Sequence, residues 1–300
     1  MDFASTTEFA QDVFLDDGDD NEEDDEDHPT PLPSGDHTNV LTIKTVQISP
    51  FRTLITALKD ILLSVETNIT FQPDGMRIIN MDKSHTILVY VHLPAENFEF
   101  YECLHHKIII GVNMVNFFKL INMMENNETL TIFIDNSDYV DGIVHHLSVR
   151  FENNAIKQCR TFRMFLADPD MEEIVFPDVT FSSIINFPSE DFQKIIRDFG
   201  NISNKLVIQS VGSQLMFRCT GHIGSGDVVR SETEEYMHFV KKQDATKVYQ
   251  GEFSLKNLAY FNKCTSLCSE IEIYLENDLP LVVKYNVASL GELKLCVTQL

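Results

Sequence analysis

Apolar residues fall at 51, 54, 55, 58, 61 and 62 of Pro50–Leu63 (PFRTLITALKDILL), the spacing of one helical face, with Ser49 placed to cap its start. The same spacing returns at 192, 195, 196 and 199 of Ser189–Phe199 (SEDFQKIIRDF), about 140 residues later. Each helix leads into alternating strand runs broken by a turn. In one half this is NITFQPDGMRIINM, with Pro73-Asp74-Gly75 at the turn; in the other it is NKLVIQSVGSQLMFRCTG, with Val211-Gly212-Ser213. A second helix follows in each, Asn113–Met124 and Ser254–Leu267, and then strands that match almost position for position, ETLTIFIDN (128–136) and SEIEIYLEN (269–277). The offset holds at 142 from Asn113 to Leu255 and 141 from Glu128 to Ser269. An internal repeat of this kind predicts two similar α+β domains in tandem, with strands in the majority.

Ile78–Val89 (IINMDKSHTILV) has apolar flanks around a polar centre, which predicts two short strand pieces meeting at a sheet edge. Asp82, Ser84 and His85 have the residue types of a hydrolase trio. On one extended segment, however, neighbouring side chains alternate faces and do not converge on a reacting atom. Between the repeats, Met164–Pro177 (MFLADPDMEEIVFP) holds Pro169 and Pro177 and four acids, which predicts an extended connector. Met171, Ile174, Val175 and Phe176 are too apolar for a free linker, so the connector should lie on the domain surfaces and help line a groove.

Composition adjusts this picture in a few places. With 300 residues, 43% of them hydrophobic, the chain suits two domains of about 130 residues and has no apolar run long enough for a bilayer. The N-terminus is acidic and lacks the apolar core of a signal peptide. Cys103, Cys159, Cys219, Cys264, Cys268 and Cys296 show no metal spacing and read as reduced thiols inside a cell, with Cys264 and Cys268 on one helix. His105-His106 and His145-His146 are strand neighbours facing opposite ways, so neither pair makes a metal site. No phosphate-binding glycine loop or nucleophile elbow occurs. No catalytic residue, metal or cofactor is therefore expected.

The net charge of −23 argues against nucleic acid until its distribution is examined. Met1–Thr38 holds 14 Asp and Glu and no Lys or Arg, leaving −9 for the remainder. The run Asp16–Asp27 and the Pro-broken stretch after it predict a disordered acidic tail over 1–38, whose apolar points are Phe3, Phe9, Val13, Phe14 and Leu15. Cations sit on the predicted helices: Arg52 and Lys59, and Lys256 and Lys263, each seven apart; Lys194 and Arg197 on one face; and Lys119. Few, long and mobile cations would touch phosphates without reading bases.

The strand-and-turn signature NMDKSH (80–85), with ALKD (57–60), GVN (111–113), FPSEDFQKIIRD (187–198) and DLPLVVKY (278–285), resembles the sliding clamps of the proliferating cell nuclear antigen (PCNA) family, in order and spacing. The resemblance covers about Asn39 to Leu300 and implies a domain at 39–163, a connecting loop at 164–177 and a second domain at 178–300. It implies a head-to-tail homotrimeric ring, sheets outside and two helices per domain inside, that encircles duplex DNA as a polymerase processivity factor in the nucleus or a viral replication compartment. DNA-facing residues carried over by position are Arg52, Lys59, Lys119, Lys194, Arg197, Lys256 and Lys263. A pocket for the peptides of polymerase and other partners would use Met81, His85, Thr86, Leu88, Phe176, Pro177, Leu279, Pro280 and Val297. Subunit contacts would join Ile156–Phe162 to Asp227–Ser231, and an ATP-driven loader would open the ring.

Several positions depart from the family. Asn122 and Asn201 replace common basics, Gly212 stands at the lysine that takes ubiquitin, and Cys296 stands where Tyr is usual, in a chain ending VTQL. A subunit of a heterotrimeric, checkpoint-type ring is the alternative on the same fold. A carboxylate nuclease is disfavoured, because no spacing singles out a set of acids.

Overall fold

Burial alternates with period two along the strands, as sheets covered on one face require. In Ile87–Pro94, for example, Ile87, Val89, Val91 and Leu93 are buried and the residues between them are half-buried. The computed structural model describes residues 38–63, 66–169, 174, 176, 179–240, 244 and 246–300. The expectations for the acidic tail before Thr38 lie outside them, as does Pro177.

The first half runs β1 (Asn39–Thr45), α1 (Ile48–Ile61), β2 (Glu66–Gln72), β3 (Gly75–Met81), β4 (Ile87–Pro94), β5 (Phe100–Cys103), β6 (Ile108–Asn113), α2 (Met114–Ile121) and β7 (Thr129–Asp135). A 3-10 turn at Asn136–Asp138 leads to β8 (Tyr139–Val140), β9 (Ile143–Val144), β10 (His146–Asn153) and β11 (Gln158–Phe165). The second half repeats the order: β12 (Ser183–Pro188), α3 (Ser189–Gly200), β13 (Lys205–Val211), β14 (Gln214–Gly221), β15 (Gly224–Ser231), β16 (His238–Phe239), β17 (Val248–Ser254), α4 (Leu255–Phe261), β18 (Glu270–Leu275), β19 (Leu281–Val287) and β20 (Gly291–Val297). Among the described residues there are thus four α-helices against twenty strands, an α+β fold of tandem repeats.

Each half builds two main antiparallel sheets, and the first adds the two-stranded β8-β9 ribbon. In the first these are β11-β10-β7-β1-β5 and β4-β3-β2-β6; in the second they are β16-β12-β18-β19-β20 and β15-β14-β13-β17. Pairing of β20 with β4 fuses two of the four into one nine-stranded sheet across the halves. Gly291, at φ 156°, admits the approach, because a Cβ there would fall 2.2 Å from the His92 carbonyl oxygen.

The helices cover the sheets. Phe51 of α1 meets Phe117 of α2 edge-on at 6.5 Å, and Phe192 of α3 meets Phe217 of β14 at 6.4 Å. Helix boundaries shift from expectation by a few residues, as at the ends of α1 (Ile61) and α2 (Ile121), and three of the shifts have a local cause. Ser49 lies inside α1, which begins one residue earlier at Ile48. The buried Ile48 starts the apolar face, and the Thr45 hydroxyl accepts from the Gln47 N–H in front of it. Asn113 is the cap of α2 rather than its first residue, its side chain accepting from the Asn116 N–H at 3.1 Å. The last helix ends at Phe261 and tightens into a 3-10 stretch, Asn262–Leu267, which leaves Cys264 on that stretch and Cys268 in extended backbone. All six cysteines are free.

The expectation of a sheet edge at Ile78–Val89 is corrected. β3 and β4 pair over seven positions, and β4 is paired again by β20, so the segment is a hairpin inside the nine-stranded sheet. Its polar centre is a turn rather than extended chain. Asp82 accepts from the backbone N–H groups of Ser84 (3.0 Å), Thr86 (2.8 Å) and Ile87 (2.7 Å), and from the Ser84 hydroxyl. Burial alone would raise the Asp82 carboxyl; the hydrogen bonds from Ser84, Ile87 and Thr86 outweigh it and hold the group below its ordinary range. Asp82 and Ser84 are thus committed to the turn.

Candidate functional site

The seven helix cations do not form one uniform set. Arg52 is half-buried, and its guanidinium closes the loop after α2, donating to the Asn126 side chain at 3.0 Å and to the Met124 carbonyl. Lys59 pairs with Asp60 at 2.9 Å and lies 4.4 Å over the Phe118 ring, while Lys263 reaches the same Asp60 at 3.7 Å. That carboxylate ties α1 to the 3-10 stretch of the other half. Arg197 lies 3.9 Å from Asp198 with both side chains in water, a pair worth little. Lys119, Lys194 and Lys256 are exposed and make no ion pair with a described residue. The seven-residue phase expected for Lys256 and Lys263 is broken by the change of helix type after Phe261.

The second candidate site is an apolar cup of about 270 Å³ at the seam between the halves. It is lined by Met81, Thr86, Leu88, Phe176, Val179, Phe181, Leu279, Pro280, Val282, Cys296 and Thr298. Six of the nine expected residues meet there: Met81, Thr86, Leu88, Phe176, Leu279 and Pro280.

Two expected residues do not line the cup. Val297 is 0% exposed, because it stands opposite the buried Ile87 and both point into the core. Its neighbours Cys296 and Thr298 take the cup face instead, as alternation demands. His85 is exposed at φ 54° in the turn, where its N–H donates to the Asp82 carbonyl. Val179, Phe181, Val282 and Thr298 lie outside the expected set, and Cys296 entered it only as a departure at the C-terminal wall of the pocket. For Cys296 and Thr298 the signal was the strand period itself; for Val179 and Phe181, beyond the connector, no signal was available. Burial pushes the Cys296 thiol up to about 12, so it behaves as a small apolar wall.

The cup opens into an aromatic annex of about 400 Å³ that shares Phe176, Val179, Phe181 and Val282 with it and adds Tyr90, Tyr274 and Lys294. The Tyr90 ring meets that of Phe176 at 5.0 Å with a tilt of 48°, and Phe181 meets Tyr274 edge-on at 5.6 Å. The Lys294 ammonium lies 5.4 and 5.8 Å from the Tyr90 and Phe176 ring centres. The Gln299 amide donates to the Leu279 carbonyl at 2.7 Å and pins the rim loop to the chain end. The site offers shape and apolar surface, with backbone at the rim, which suits a short peptide bearing large side chains.

The strands expected at subunit contacts both lie at sheet edges. β11 and β15 are each paired on one side only among the described strands, leaving a row of backbone groups unused. Ile156 falls in the turn before β11.

The profile described as "Proliferating cell nuclear antigen, N-terminal domain" matches residues 40–173, and that described as "Proliferating cell nuclear antigen, C-terminal domain" matches residues 175–300. The chain is 32% identical over 267 residues to a Paramecium bursaria Chlorella virus 1 protein named "Probable DNA polymerase sliding clamp 1", covering 87% of this chain and 98% of that one. It is 32% identical over 219 residues to an Acanthamoeba polyphaga mimivirus protein named "Probable DNA polymerase sliding clamp", covering 73% of this chain but 46% of the length of that one.

Proposed function

The chain belongs to the proliferating cell nuclear antigen family, and on that premise we propose that it is a DNA polymerase processivity factor, a sliding clamp that closes as a ring of three copies. The observation that carries the reading is the pairing of β20 with β4 inside the chain. In the repeat, β11 is the counterpart of β20 and β15 the counterpart of β4, and each has an unused edge among the described strands. A second copy satisfies those edges by the same antiparallel pairing. Head-to-tail repetition of that contact closes a ring once the rotation permits, and the family's rings close at three.

In such a ring the four helices of each copy face the hole. Lys119, Lys194, Arg197 and Lys256 support weak contact with duplex phosphates, while Glu190, Asp191 and Asp198 on the same helices limit its strength. Weak contact with the backbone, blind to sequence, permits sliding. The cup and annex take the peptides of polymerase and other replication proteins, raising their concentration at the DNA. The chain itself carries out no covalent step, and an ATP-driven loader opens the ring. The site of action is the nucleus or a viral replication compartment.

Light scattering of the purified chain tests the assembly. The expected mass is about 103 kDa, three times the 34.3 kDa protomer, with a monomer at all concentrations as the contrary result.

A further inference from the structure

Two junctions that the repeat makes equivalent end in pairs of opposite character. The repeat sets Leu130 of β7 on Ile271 of β18, and hence their cross-strand partners Phe151 on Tyr285 and, one strand further, Arg160 on Leu293. It likewise sets the first pair of the β3–β4 hairpin, Gly75 and Pro94, on Gln214 and Ser231 of the β14–β15 hairpin. Carrying the β20–β4 register through those equivalences pairs β11 of one copy with β15 of the next so that Arg160 faces Val228, Phe162 faces Gly226 and Met164 faces Gly224. The residues that line the inward side of each strand then meet, as they do in the seam within the chain.

One step beyond these pairs lies the difference. Within the chain the ladder ends on Thr298 and Thr86, the Thr298 N–H donating to the Thr86 carbonyl at 3.5 Å, and both side chains line the open cup. Their counterparts are Phe165 and Ile223. Phe165 is 84% exposed and Ile223 65% exposed, although both are large and apolar. Brought together at the end of the proposed junction, the two side chains would remove each other's apolar surface from water.

Phe165 is also held in place. Its ring lies 5.0 Å from that of His146, the residue opposite it on β10. The His146 Nδ1 is 2.9 Å from the carboxylate of the buried Asp138, which Arg163 also binds. Asp138 opens the excursion through β8 and β9, ten residues between β7 and β10 where the second half uses five between β18 and β19. The longer connection, with exposed Val140 and Ile143, ends at His145, whose carbonyl accepts from the Leu166 N–H next to Phe165; the shorter one supplies Leu279 and Pro280 to the cup.

We infer that Phe165 of one copy packs against Ile223 of the next, an apolar lock that tightens the subunit junction and fills the space that is an open cup at the junction within the chain. The inference rests on the ring proposed above and goes beyond it in two ways. It names the side chains that distinguish the two kinds of junction, and it gives each subunit one peptide cup instead of two.

The test is a dilution series of the full chain followed by light scattering, for wild type, Phe165→Ser, Ile223→Ser and the double variant, with Leu63→Ser as an exposed apolar control. Each single variant should fall apart at about tenfold higher concentration than wild type, and the double variant should lose little more than either single, as touching residues do. The control should match wild type. Singles that dissociate with wild type, or a double variant whose loss is the product of the two single losses, would overturn the lock while leaving the ring standing. A wild-type monomer throughout would overturn the ring reading and the lock with it.

Discussion

Leu88 and Cys296 stand directly opposite each other on β4 and β20, on the outer face of the seam that joins the two halves. One residue along, Ile87 and Val297 form the next pair, facing the core. The seam therefore divides sharply between residues that build the fold and residues that present a cup.

That division predicts opposite behaviour for neighbours in sequence. Cys296→Trp should fill the cup and weaken binding of a peptide with an aliphatic and two aromatic anchors by tenfold or more, on the order of 1.4 kcal/mol, with little change in melting. Val297→Ala should leave peptide affinity nearly unchanged and cost about 2 kcal/mol of stability through a core cavity. Fluorescence anisotropy and denaturant unfolding read the two effects separately.

The Asp82 turn predicts a pH dependence. The folded carboxyl titrates below its ordinary value of 3.8, so its contribution to stability is present above that value and is lost as pH falls through the lower, folded one. Asp82→Asn should lower stability by about 1–2 kcal/mol at pH 7, because three backbone donors lose a charged acceptor. The gap to wild type should narrow once the pH drops below 3.8, as thermal melts at neutral and acid pH would show.

Charge changes on the helices should separate into two classes. Lys194→Glu and Lys256→Glu should weaken binding to duplex DNA of any sequence and lower the slope of log affinity against log salt by roughly one per lost phosphate contact. Arg52→Ala should instead destabilise the fold by about 1–3 kcal/mol, because the Met124 carbonyl and Asn126 lose their partner. Salt titrations and melts on the same variants distinguish the classes.

Much of the fold was legible because it is local and repeated. Helical spacing found α1 and α3, the turns at Pro73-Asp74-Gly75 and Val211-Gly212-Ser213 found two hairpins, and the match of 128–136 to 269–277 found the tandem. The β20–β4 pairing was not legible, since nothing local says which distant strand a strand will join. For that reason Ile78–Val89 read as a sheet edge when it lies inside a nine-stranded sheet. Arg52 and Lys59 look alike in a helical pattern, and only the tertiary neighbours Met124, Asn126 and Phe118, with the adjacent Asp60, show that both heads are engaged. Val297 was legible as core, because the polar Glu292 and Lys294 on one face leave Leu293, Leu295 and Val297 for the other by alternation alone.

A ring that encircles DNA is held by topology and not by charge, and topological trapping reads that difference. Full-length protein would be threaded onto a bead-tethered linear duplex, the free end blocked with a bulky protein, and the beads washed at about 0.5 M salt, which strips contacts that are only electrostatic. An encircling ring should survive the wash on blocked duplex and be released when the DNA is cut beside the block. Protein lost equally from blocked and open duplex, or retained after the cut, would contradict encirclement.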